Sequence, residues 1–369
     1  MLAGLAVAGM GQCLAGWRAV RRFSGVAPAP AVWPAVLLLK PLHGDEPLLE
    51  AALASMCAQE YPRLRIVCGV QRADDPAIAV VERLRVRFPA VDLHLVVDAT
   101  PHGANRKVAN LINMMTAVPA PEADEVVVVS DSDIHAAPDW LRQVVAALAM
   151  PGVGLATTLY VGLAARGGWV ERLGCSWITH TFLPGALLAR GMGRQDCLGA
   201  TMALRAGTLA EIGGLAALSS HLADDNELGR LVQARGLAVA LAGSVPATTV
   251  AEADLGALWR HELRWGRTIR ALVPGAFAAS VIQYPVFWAL AAFAASGGAE
   301  WAVWAVMLAW AVRALAARGI DQALGHAGTK VAVAVAVALL PLRDVMSVAV
   351  VAAAFLGRRV EWRGQVMRA

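Results

Sequence analysis

The chain of 369 residues is 58% hydrophobic and only 16% charged, with a formal net charge of +4. Ordinary soluble domains are roughly a quarter charged, so the composition argues against a wholly soluble protein. The apolar residues concentrate at the two ends and the middle reads as a soluble α/β domain, which argues against a transporter bundle. The arginine clusters flank apolar runs without interleaved stacking aromatics, so a nucleic-acid partner is not expected.

The N-terminal segment, residues 1–17, is apolar and is followed at once by Arg18, Arg21 and Arg22. A helix of that length covers about 25 Å, slightly less than the ~30 Å hydrocarbon core of a bilayer. A secretory signal places its positive charges before the apolar run and not after it. We therefore predict an uncleaved membrane anchor over residues 1–22, with the remainder of the chain in the cytoplasm.

Short apolar runs alternate with helical patterns in the middle of the chain. The predicted strands cover residues 36–39, 64–70, 93–97, 126–129 and 153–157. The predicted helices cover residues 45–58, 76–88, 107–117 and 138–149. Strands that are apolar throughout and joined by helical crossovers are typical of a mostly parallel, doubly wound sheet. Ligands bind such sheets beyond the carboxyl ends of the strands.

The character of the sequence changes after Arg270. Residues 272–295 and 301–317 are apolar runs that can span a membrane. Residues 331–356 are interrupted by Pro341-Leu342-Arg343-Asp344, and each such charge at a helix centre costs about 2.5–3.5 kcal/mol on insertion. This run predicts either a third crossing or an interfacial hairpin. The predicted organisation is an anchor over 1–22, a folded domain over 33–270 and a membrane region over 271–369.

The predicted strand that ends at Val129 leads directly into Ser130-Asp131-Ser132-Asp133. Two carboxylates spaced i, i+2 at a strand end can converge on one hard cation, and Mg²⁺ or Mn²⁺ prefers such ligands. The ion would also hold a diphosphate and neutralise charge on a departing nucleoside diphosphate. A solvated turn is the competing interpretation, because Asp and Ser are common turn residues. We favour a metal site at Asp131 and Asp133.

Two further polar segments follow predicted strands. Asp74-Asp75-Pro76 would either accept hydrogen bonds from a nucleotide or cap the helix that begins at Pro76. In the loop that follows His102, Lys107 at a helix N-terminus is the best candidate for a phosphate contact, and Asn105 is the expected helix cap.

Two later segments also carry charge. Asp224-Asp225 begins an amphipathic helix, where the carboxylates serve either as cap and dipole partners or as a base that deprotonates an acceptor hydroxyl. In the segment His261-Glu262-Leu263-Arg264-Trp265, Arg264 would clamp a diphosphate and Trp265 would stack under a sugar or acceptor. A basic, aromatic helix at the membrane surface is the alternative.

In their order and spacing these residues resemble the ceramide-glucosyltransferase-like family of inverting glycosyltransferases. The resemblance covers nearly the whole chain and rests on Leu39-Lys40-Pro41-Leu42, Gln71 with Asp74-Asp75-Pro76-Ala77, Asn105-x-Lys107-x-x-Asn110-Leu111, Asp131-x-Asp133, Asp225, Arg264-Trp265 and Gly357-Arg358-Arg359-Val360-Glu361-Trp362-Arg363-Gly364. It implies that the α/β domain over residues 33–270 has the GT-A fold, a Rossmann-like, mostly parallel sheet, and is the catalytic domain.

The resemblance also implies the roles of individual residues. Asp75 matches the aspartate near the nucleotide, Asp131 the aspartate at the metal and diphosphate, and Asp225 the presumed base. Arg264 and Trp265 match the two constant residues of the (Gln/Arg)xxArgTrp motif and are expected in the catalytic site. The residues expected to contact the nucleotide-sugar are Lys40, Gln71, Asp75, Asn105, Lys107, Asp131 and His261. The departures from the family pattern, which bear on the acceptor, are Arg72, Asn226 and His261.

Within the family, Trp259-Arg260-His261-Glu262-Leu263-Arg264-Trp265 and Asn105-Arg106-Lys107 are most similar to the bacterial hopanoid-biosynthesis branch. That likeness implies transfer of N-acetylglucosamine from UDP-GlcNAc to bacteriohopanetetrol, by a multi-pass protein of the inner membrane whose catalytic domain faces the cytoplasm. The alternatives are glucosylation of ceramide from UDP-glucose, a processive polysaccharide synthase, which normally needs more spans, and a non-enzymatic membrane scaffold. The aromatic residues expected to reach the interface and admit the acceptor are Trp169, Trp177 and Phe182.

Overall fold

The computed structural model describes residues 1–325, 330–357, 359–362 and 365–368. Its helices are α1 (Leu2–Arg22), α2 (Leu49–Cys57), α3 (Ala77–Arg87), α4 (Arg106–Thr116), α5 (Trp140–Leu148), α6 (Trp169–Trp177), α7 (Leu183–Gly191), α8 (Ala206–Glu211), α9 (Asp224–Gln233), α10 (Leu255–Leu272), α11 (Pro274–Ala279), α12 (Pro285–Ala295), α13 (Glu300–Ala323) and α14 (Lys330–Phe355). Its strands are β1 (Val36–Pro41), β2 (Leu64–Val70), β3 (Asp92–Val97), β4 (Val126–Ser130), β5 (Ile134–His135), β6 (Val153–Thr157), β7 (Val161–Ala164), β8 (Thr201–Arg205), β9 (Ala238–Leu241), β10 (Ala247–Val250), β11 (Arg359–Trp362) and β12 (Gln365–Arg368). A π-helix covers Ile178–Phe182, and 3₁₀ helices cover Leu215–Leu218 and Ser280–Gln283. The closing motif is described only in part, because Arg358, Arg363 and Gly364 lie outside the described residues.

The chain divides into two compact units. The first, which we call the α/β unit, comprises Ser24–Leu163 and Gly193–Thr249. The second, which we call the helical unit, comprises Met1–Phe23, Ala164–Met192 and Val250–Ala369. The boundaries at residues 22, 33 and 270 that the sequence suggests remain predictions.

The α/β unit is built on a seven-stranded sheet of order β3-β2-β1-β4-β8-β6-β9. The strands β1 to β4 run parallel to their neighbours in that set. The predicted mostly parallel α/β sheet is therefore confirmed, and all five predicted strands are present. The strand β8 was not predicted, and it runs antiparallel between β4 and β6.

Helices cover both faces of this sheet, as a doubly wound fold requires. Successive strand residues point to opposite faces, so Leu38 and Val128 pack with α2, α3 and α5, whereas Leu39 and Val129 pack with α4, α8 and α9. Every position of β1 is buried. This explains why β1 reads in the sequence as an unbroken apolar run rather than an alternating one.

The order of the strands places a switch point between β1 and β4. From β1 the chain continues to β2 on one side, whereas β4 pairs with the opposite side of β1. The carboxyl ends of β1 and β4 are Pro41 and Ser130, and Asp131 and Asp133 follow directly. Such a switch point is where open α/β sheets bind their ligands.

Among its described residues, the helical unit contains two helical stretches that are long and apolar enough to cross a membrane, Glu300–Ala323 and Ala332–Phe355. Pro274–Gln283 and Pro285–Ala295 pass this test only as a pair, and they are bent by 71°. The sequence suggested one continuous run here, but a proline disfavours helical backbone in the residue before it. Tyr284 accordingly has φ −106° and ψ 73°.

The predicted N-terminal anchor forms a helix that is longer than the apolar run. It covers 21 residues and includes Arg18, Arg21 and Arg22. Within the described residues it is not among the helices apolar enough to count as a span. Its role as an anchor therefore remains a prediction.

The third apolar run, for which the sequence left a crossing or a hairpin open, is the single helix α14. The helix continues through Pro341. The two charges of the interrupting segment, Arg343 and Asp344, are both 0% exposed. Each has a partner of opposite charge, Glu262 for Arg343 and Arg313 for Asp344. Internal pairing removes the need for these charges to reach water, which was the reason to expect a hairpin.

Candidate active site

The turn after β4 presents the two carboxylates of the predicted metal site. Asp131 forms an ion pair with Lys107, whose Nζ lies 2.6 Å from Oδ1 of Asp131. The Asp131 side chain is 38% exposed. Asp133 accepts a hydrogen bond of 2.6 Å from the Thr248 hydroxyl at Oδ2. Burial, followed by repulsion from Asp131, raises the pKa of Asp133. A positive charge placed between the two carboxylates would remove that repulsion.

Lys40, at the end of β1, is fully buried and braces the same turn. Its Nζ donates to the Ser130 hydroxyl at 3.3 Å and also to the backbone carbonyl of Asp131. Burial lowers the pKa of Lys40 to about 8, against the opposing influence of Asp133 and Asp131. The sequence suggested a contact with the nucleotide-sugar for Lys40, and the structure gives it a supporting position behind the carboxylate turn.

The N-termini of α4 and α9 meet beside this turn. Asn105 caps α4 by accepting from the Val108 amide at 3.1 Å, and its side-chain amide donates to the His221 carbonyl at 2.8 Å. Lys107, in the first turn of α4, lies 3.8 Å from Oδ2 of Asp224 in addition to its contact with Asp131. That oxygen of Asp224 is buried and has no hydrogen-bond partner among the described residues.

Asp225, the predicted base, follows Asp224 in the first turn of α9. Burial, and then repulsion from Asp224, raises the pKa of Asp225 above its usual value to about 6. The Asn226 amide donates to Oδ1 at 2.8 Å, which favours the ionised form. A carboxylate with a pKa near neutrality is suited to take a proton from a hydroxyl.

Asp75 and Gln71 follow β2 at the same edge of the sheet. Asp75 is buried, and its Oδ1 accepts at 3.0 Å from the amide of Ala77, the first residue of α3. Both of its oxygens also accept from the Gly44 amide, at 3.0 and 3.1 Å. Asp75 thus contacts the start of α3, although Pro76 occupies the N-cap position. Contact of Asp75 with a nucleotide remains a prediction. Gln71 is the residue directly after β2 and is half-buried.

The segment from His261 to Trp265 belongs to α10 in the helical unit. The Trp265 ring lies 4.3 Å from the His261 ring and 5.2 Å from the Trp177 ring, measured between centroids. Trp177 stacks on Phe182 at 5.9 Å, and His261 is paired with Glu252. Two of the aromatic residues expected at the interface, Trp177 and Phe182, thus form one cluster with His261 and Trp265. Arg264 is half-buried on the same helix.

The donor set of the carboxylate turn suits a hard cation rather than zinc. Within the described residues no group of three or more His, Cys, Asp or Glu side chains forms a metal cage. Zinc normally requires three or four protein ligands. Mg²⁺ and Mn²⁺ accept one or two carboxylates and complete their shell with water and phosphate oxygens, so the pair Asp131 and Asp133 fits them.

Three residues that contribute to this site were not predicted as site residues. Thr248 contacts Asp133 from β10, a separation of 115 residues. Gly199 leaves room for Asp225, because an added Cβ would lie 2.9 Å from its Oδ2. Neither has a local signal in the sequence. Asp224 did have a local signal, because it stands beside Asp225 in the sequence. Only the fold places Asp224 close to Lys107.

Comparison with known proteins identifies the family of this chain. The model of the family described as glycosyl transferase family 21 matches residues 1–369. Ceramide glucosyltransferase 1 of Caenorhabditis elegans is 22% identical over 249 residues, which cover 68% of this chain and 52% of that protein. The ceramide glucosyltransferase of Komagataella phaffii is 34% identical over 88 residues, which cover 23% of this chain and 17% of that protein. The chain thus spans about half, or less, of the length of the curated relatives it matches.

Among solved structures, the chain is similar to the mannosyltransferase PcManGT of Pyrobaculum calidifontis, determined in complex with GDP-Man and Mn²⁺. The TM-score is 0.52 at 19% identity, and the superposition covers 96% of this chain and 99% of that one. At this identity the likeness shows the fold alone. It confirms the predicted GT-A fold.

Proposed function

We propose that this chain, which belongs to glycosyl transferase family 21, is a membrane-bound inverting glycosyltransferase that transfers N-acetylglucosamine from UDP-GlcNAc to a hydroxyl of bacteriohopanetetrol. The membership confirms the family resemblance of the sequence. The observation that carries the activity is the grouping of Asp131, Lys107 and Asp225. Lys107 and Asp131 lie close enough to Asp225 to influence its pKa. The two carboxylates and the lysine thus share one edge of the sheet, and we assign them the roles of cation ligand, base and phosphate contact.

The donor would be held through its diphosphate. Asp131 and Asp133 would bind Mg²⁺ or Mn²⁺, which when present neutralises charge on the leaving diphosphate. Lys107 supplies a second positive charge next to Asp131, and Arg264 of the helical unit is proposed as a third. The further donor contacts are proposed for Lys40, Gln71, Asp75, Asn105 and His261.

The reaction would be a single in-line displacement at the sugar C1. Asp225 takes the proton of the acceptor hydroxyl, and the hydroxyl oxygen forms a bond to C1. The bond between C1 and the diphosphate oxygen breaks, and UDP leaves with the electron pair. Attack from the face opposite UDP inverts the configuration and yields a β-glycoside. The raised pKa of Asp225 supports this assignment, because it makes the carboxylate a stronger base.

The acceptor class is proposed from the apolar helices and the aromatic cluster. Two of the described helices are long and apolar enough to cross a membrane, and a lipid acceptor resides in a membrane. Trp265 and Trp177 would contact the acceptor from the helical unit. The likeness of residues 259–265 to the hopanoid branch supports bacteriohopanetetrol, and a location at the cytoplasmic face of the inner membrane follows from that assignment.

Glucosylation of ceramide from UDP-glucose is the second candidate function. It is favoured by a specific observation, since the curated relatives quoted above are ceramide glucosyltransferases. The chemistry at Asp131, Lys107 and Asp225 would be the same for both reactions. The two candidates differ only in the sugar and in the lipid.

The decisive experiment offers each labelled donor with each lipid to membranes that contain the protein and Mg²⁺. Labelled bacteriohopanetetrol formed from UDP-GlcNAc, detected by mass analysis of extracted lipids, is the expected result. Labelled ceramide formed from UDP-glucose would show that the acceptor is ceramide, while the proposed mechanism would stand. Polymeric product would favour a processive synthase, and no product with any pair would favour a scaffold. Asp131→Ala should abolish the labelling.

A further inference from the structure

Arg343 lies in the middle of the apolar helix α14 and is 0% exposed. Its Nη1 and Nη2 donate to the two carboxylate oxygens of Glu262 at 2.6 and 2.7 Å. Its Nε donates to the Ser347 hydroxyl at 3.0 Å, and Nη1 also donates to the backbone carbonyl of Leu173 at 3.3 Å. The planar guanidinium therefore binds two other helices in fixed directions, Glu262 on α10 and Leu173 on α6.

Those two helices carry the paired tryptophans. Trp265 lies three residues after Glu262 on α10, and Trp177 lies four residues after Leu173 on α6. Residues separated by three or four positions lie on the same side of a helix. On each helix, the residue that binds Arg343 therefore lies about one turn before the tryptophan. The two tryptophan rings lie 5.2 Å apart between centroids.

The buried residues of α10 form a narrow stripe along the helix. The buried residues of α10 are Leu258, Glu262 and Gly266, spaced by four. An added Cβ at Gly266 would lie 3.5 Å from both Val350 and Ala354 of α14, so the two helices approach closely there. Glu262 is the only charged residue of this buried stripe in the described α10.

The stability of the fold does not by itself explain why an ion pair is present at this position. Burying two charges costs about as much as their attraction returns, and apolar residues of similar size often stabilise a fold equally well. The pair adds a fixed relative orientation of the two side chains, because the guanidinium and the carboxylate bind in one planar, bidentate arrangement. With Glu262 held towards α14, Arg264 lies about 200° further around α10, on the opposite side of that helix.

We propose that Arg343 is a positioning residue that holds Trp265 and Trp177 together as the contact surface for the lipid acceptor. It acts through Glu262 and the Leu173 carbonyl, and it does not touch the acceptor itself. The inference rests on the proposed function for the meaning of the tryptophan pair. The proposal also explains why a charged residue, Arg343, interrupts an otherwise apolar run of the sequence.

The test compares the full-length protein with the double variant Glu262→Met/Arg343→Met, in which no buried charge is left unpaired. Arg343→Lys is a second variant, because it keeps the charge and loses the bidentate geometry. The matched control is Glu50→Gln/Arg83→Gln, which removes an ion pair of 2.8 Å whose side chains are 42% and 57% exposed. The first readout is the ¹⁹F NMR spectrum of protein labelled with 5-fluorotryptophan, with signals assigned through Trp177→Phe and Trp265→Phe. The second is the KM for acceptor and for donor.

We expect the ¹⁹F signals of Trp177 and Trp265 to shift in both Arg343 variants and to stay in place in the control. The KM for the acceptor should rise about tenfold, a loss of ~1.4 kcal/mol, while the KM for the donor and the Tm change little. Unshifted signals, or equal changes in both KM values, would overturn the proposal. If the wild-type protein transfers no sugar to any lipid, the proposed function fails, and the ¹⁹F spectra still decide whether Arg343 positions the tryptophans.

Discussion

Lys107 Nζ lies 2.6 Å from Oδ1 of Asp131, so one ammonium group already neutralises a carboxylate assigned to the metal and the diphosphate. The same ammonium lies 3.8 Å from Oδ2 of Asp224. Attraction to these carboxylates outweighs the effect of burial and raises the pKa of Lys107. Lys107 therefore stays positively charged over the whole working range of pH, which suits a group that stabilises a leaving diphosphate.

The first prediction concerns this lysine. Lys107→Met should lower kcat/KM for sugar transfer by about 100-fold, because loss of one charge aimed at the leaving group typically costs that much. The adjacent, exposed Arg106 provides a matched control, and Arg106→Gln should change the rate less than about twofold. Radiolabel transfer under initial-rate conditions measures both. Equal losses in the two variants would contradict the role of Lys107.

The second prediction concerns support for the metal site. Thr248→Val removes the hydroxyl that donates to Asp133 at 2.6 Å, and loss of such an outer contact typically lowers metal affinity about 10- to 100-fold. Titration calorimetry of Mn²⁺ in the presence of UDP should show this loss. The exposed Thr100 is the control position, and Thr100→Val should leave the affinity unchanged. Unaltered affinity in Thr248→Val would show that the hydroxyl does not support Mn²⁺ binding.

The third prediction is a dependence on pH. Asp225 must be ionised to accept a proton, and its pKa is raised to about 6. Transfer should therefore fall with unit slope as the pH drops below about 6, in a plot of log kcat/KM. A rate that stays constant down to pH 5 would argue against Asp225 as the base.

The same raised pKa has the opposite consequence for stability. A carboxyl group whose pKa is higher in the folded protein stabilises the fold while protonated, and that contribution is lost as the pH rises through about 6. At pH 8, Asp225→Asn should therefore stabilise the fold by about 1 kcal/mol while it abolishes transfer. Thermal unfolding at pH 8 measures the difference, and a clear loss of Tm would contradict the expectation.

A fifth prediction concerns another buried ion pair of the helical unit, Arg313–Asp344. Arg313 donates to Asp344 at 3.3 Å, and both side chains are almost fully buried. Arg313→Met leaves Asp344 without its cation and should destabilise the protein by about 3–5 kcal/mol. Arg313→Met/Asp344→Leu should restore most of that loss. Unfolding in detergent micelles compares the two.

The exposed pair Arg65–Asp92 serves as the control for that experiment. Its side chains are 39% and 48% exposed, so Arg65→Met should change stability by less than about 1 kcal/mol. An Arg313→Met variant no less stable than Arg65→Met would mean that the buried pair does not matter for folding.

Much of the fold was predictable because local patterns carry it. All five predicted strands are present, since strands buried on both faces read as apolar runs. The strand β8 was not predicted, because its apolar run is only three residues long, between Thr201 and Arg205. The kink before Pro285 was readable in principle, because a proline acts on the residue directly before it.

The candidate site was predictable only as a set of separate segments. The sequence places carboxylates after β4 and at the start of α9, and a lysine at the start of α4. It does not show that Lys107 bridges Asp131 and Asp224, nor that Lys40 faces inward beneath the carboxylate turn. Those contacts depend on which strand ends and helix starts become neighbours.

By itself, the sequence determined the alternation of strands and helices in the first half of the chain, the carboxylates of the predicted metal site and the family, because each rests on residues near one another in the chain. Tertiary structure alone decided which charges are paired. Thr248 reaches Asp133 across 115 residues, and Arg343 reaches Glu262 across 81. The physical reason is that a buried charge requires a partner within hydrogen-bond distance, and folding rather than chain position determines which residue meets that requirement.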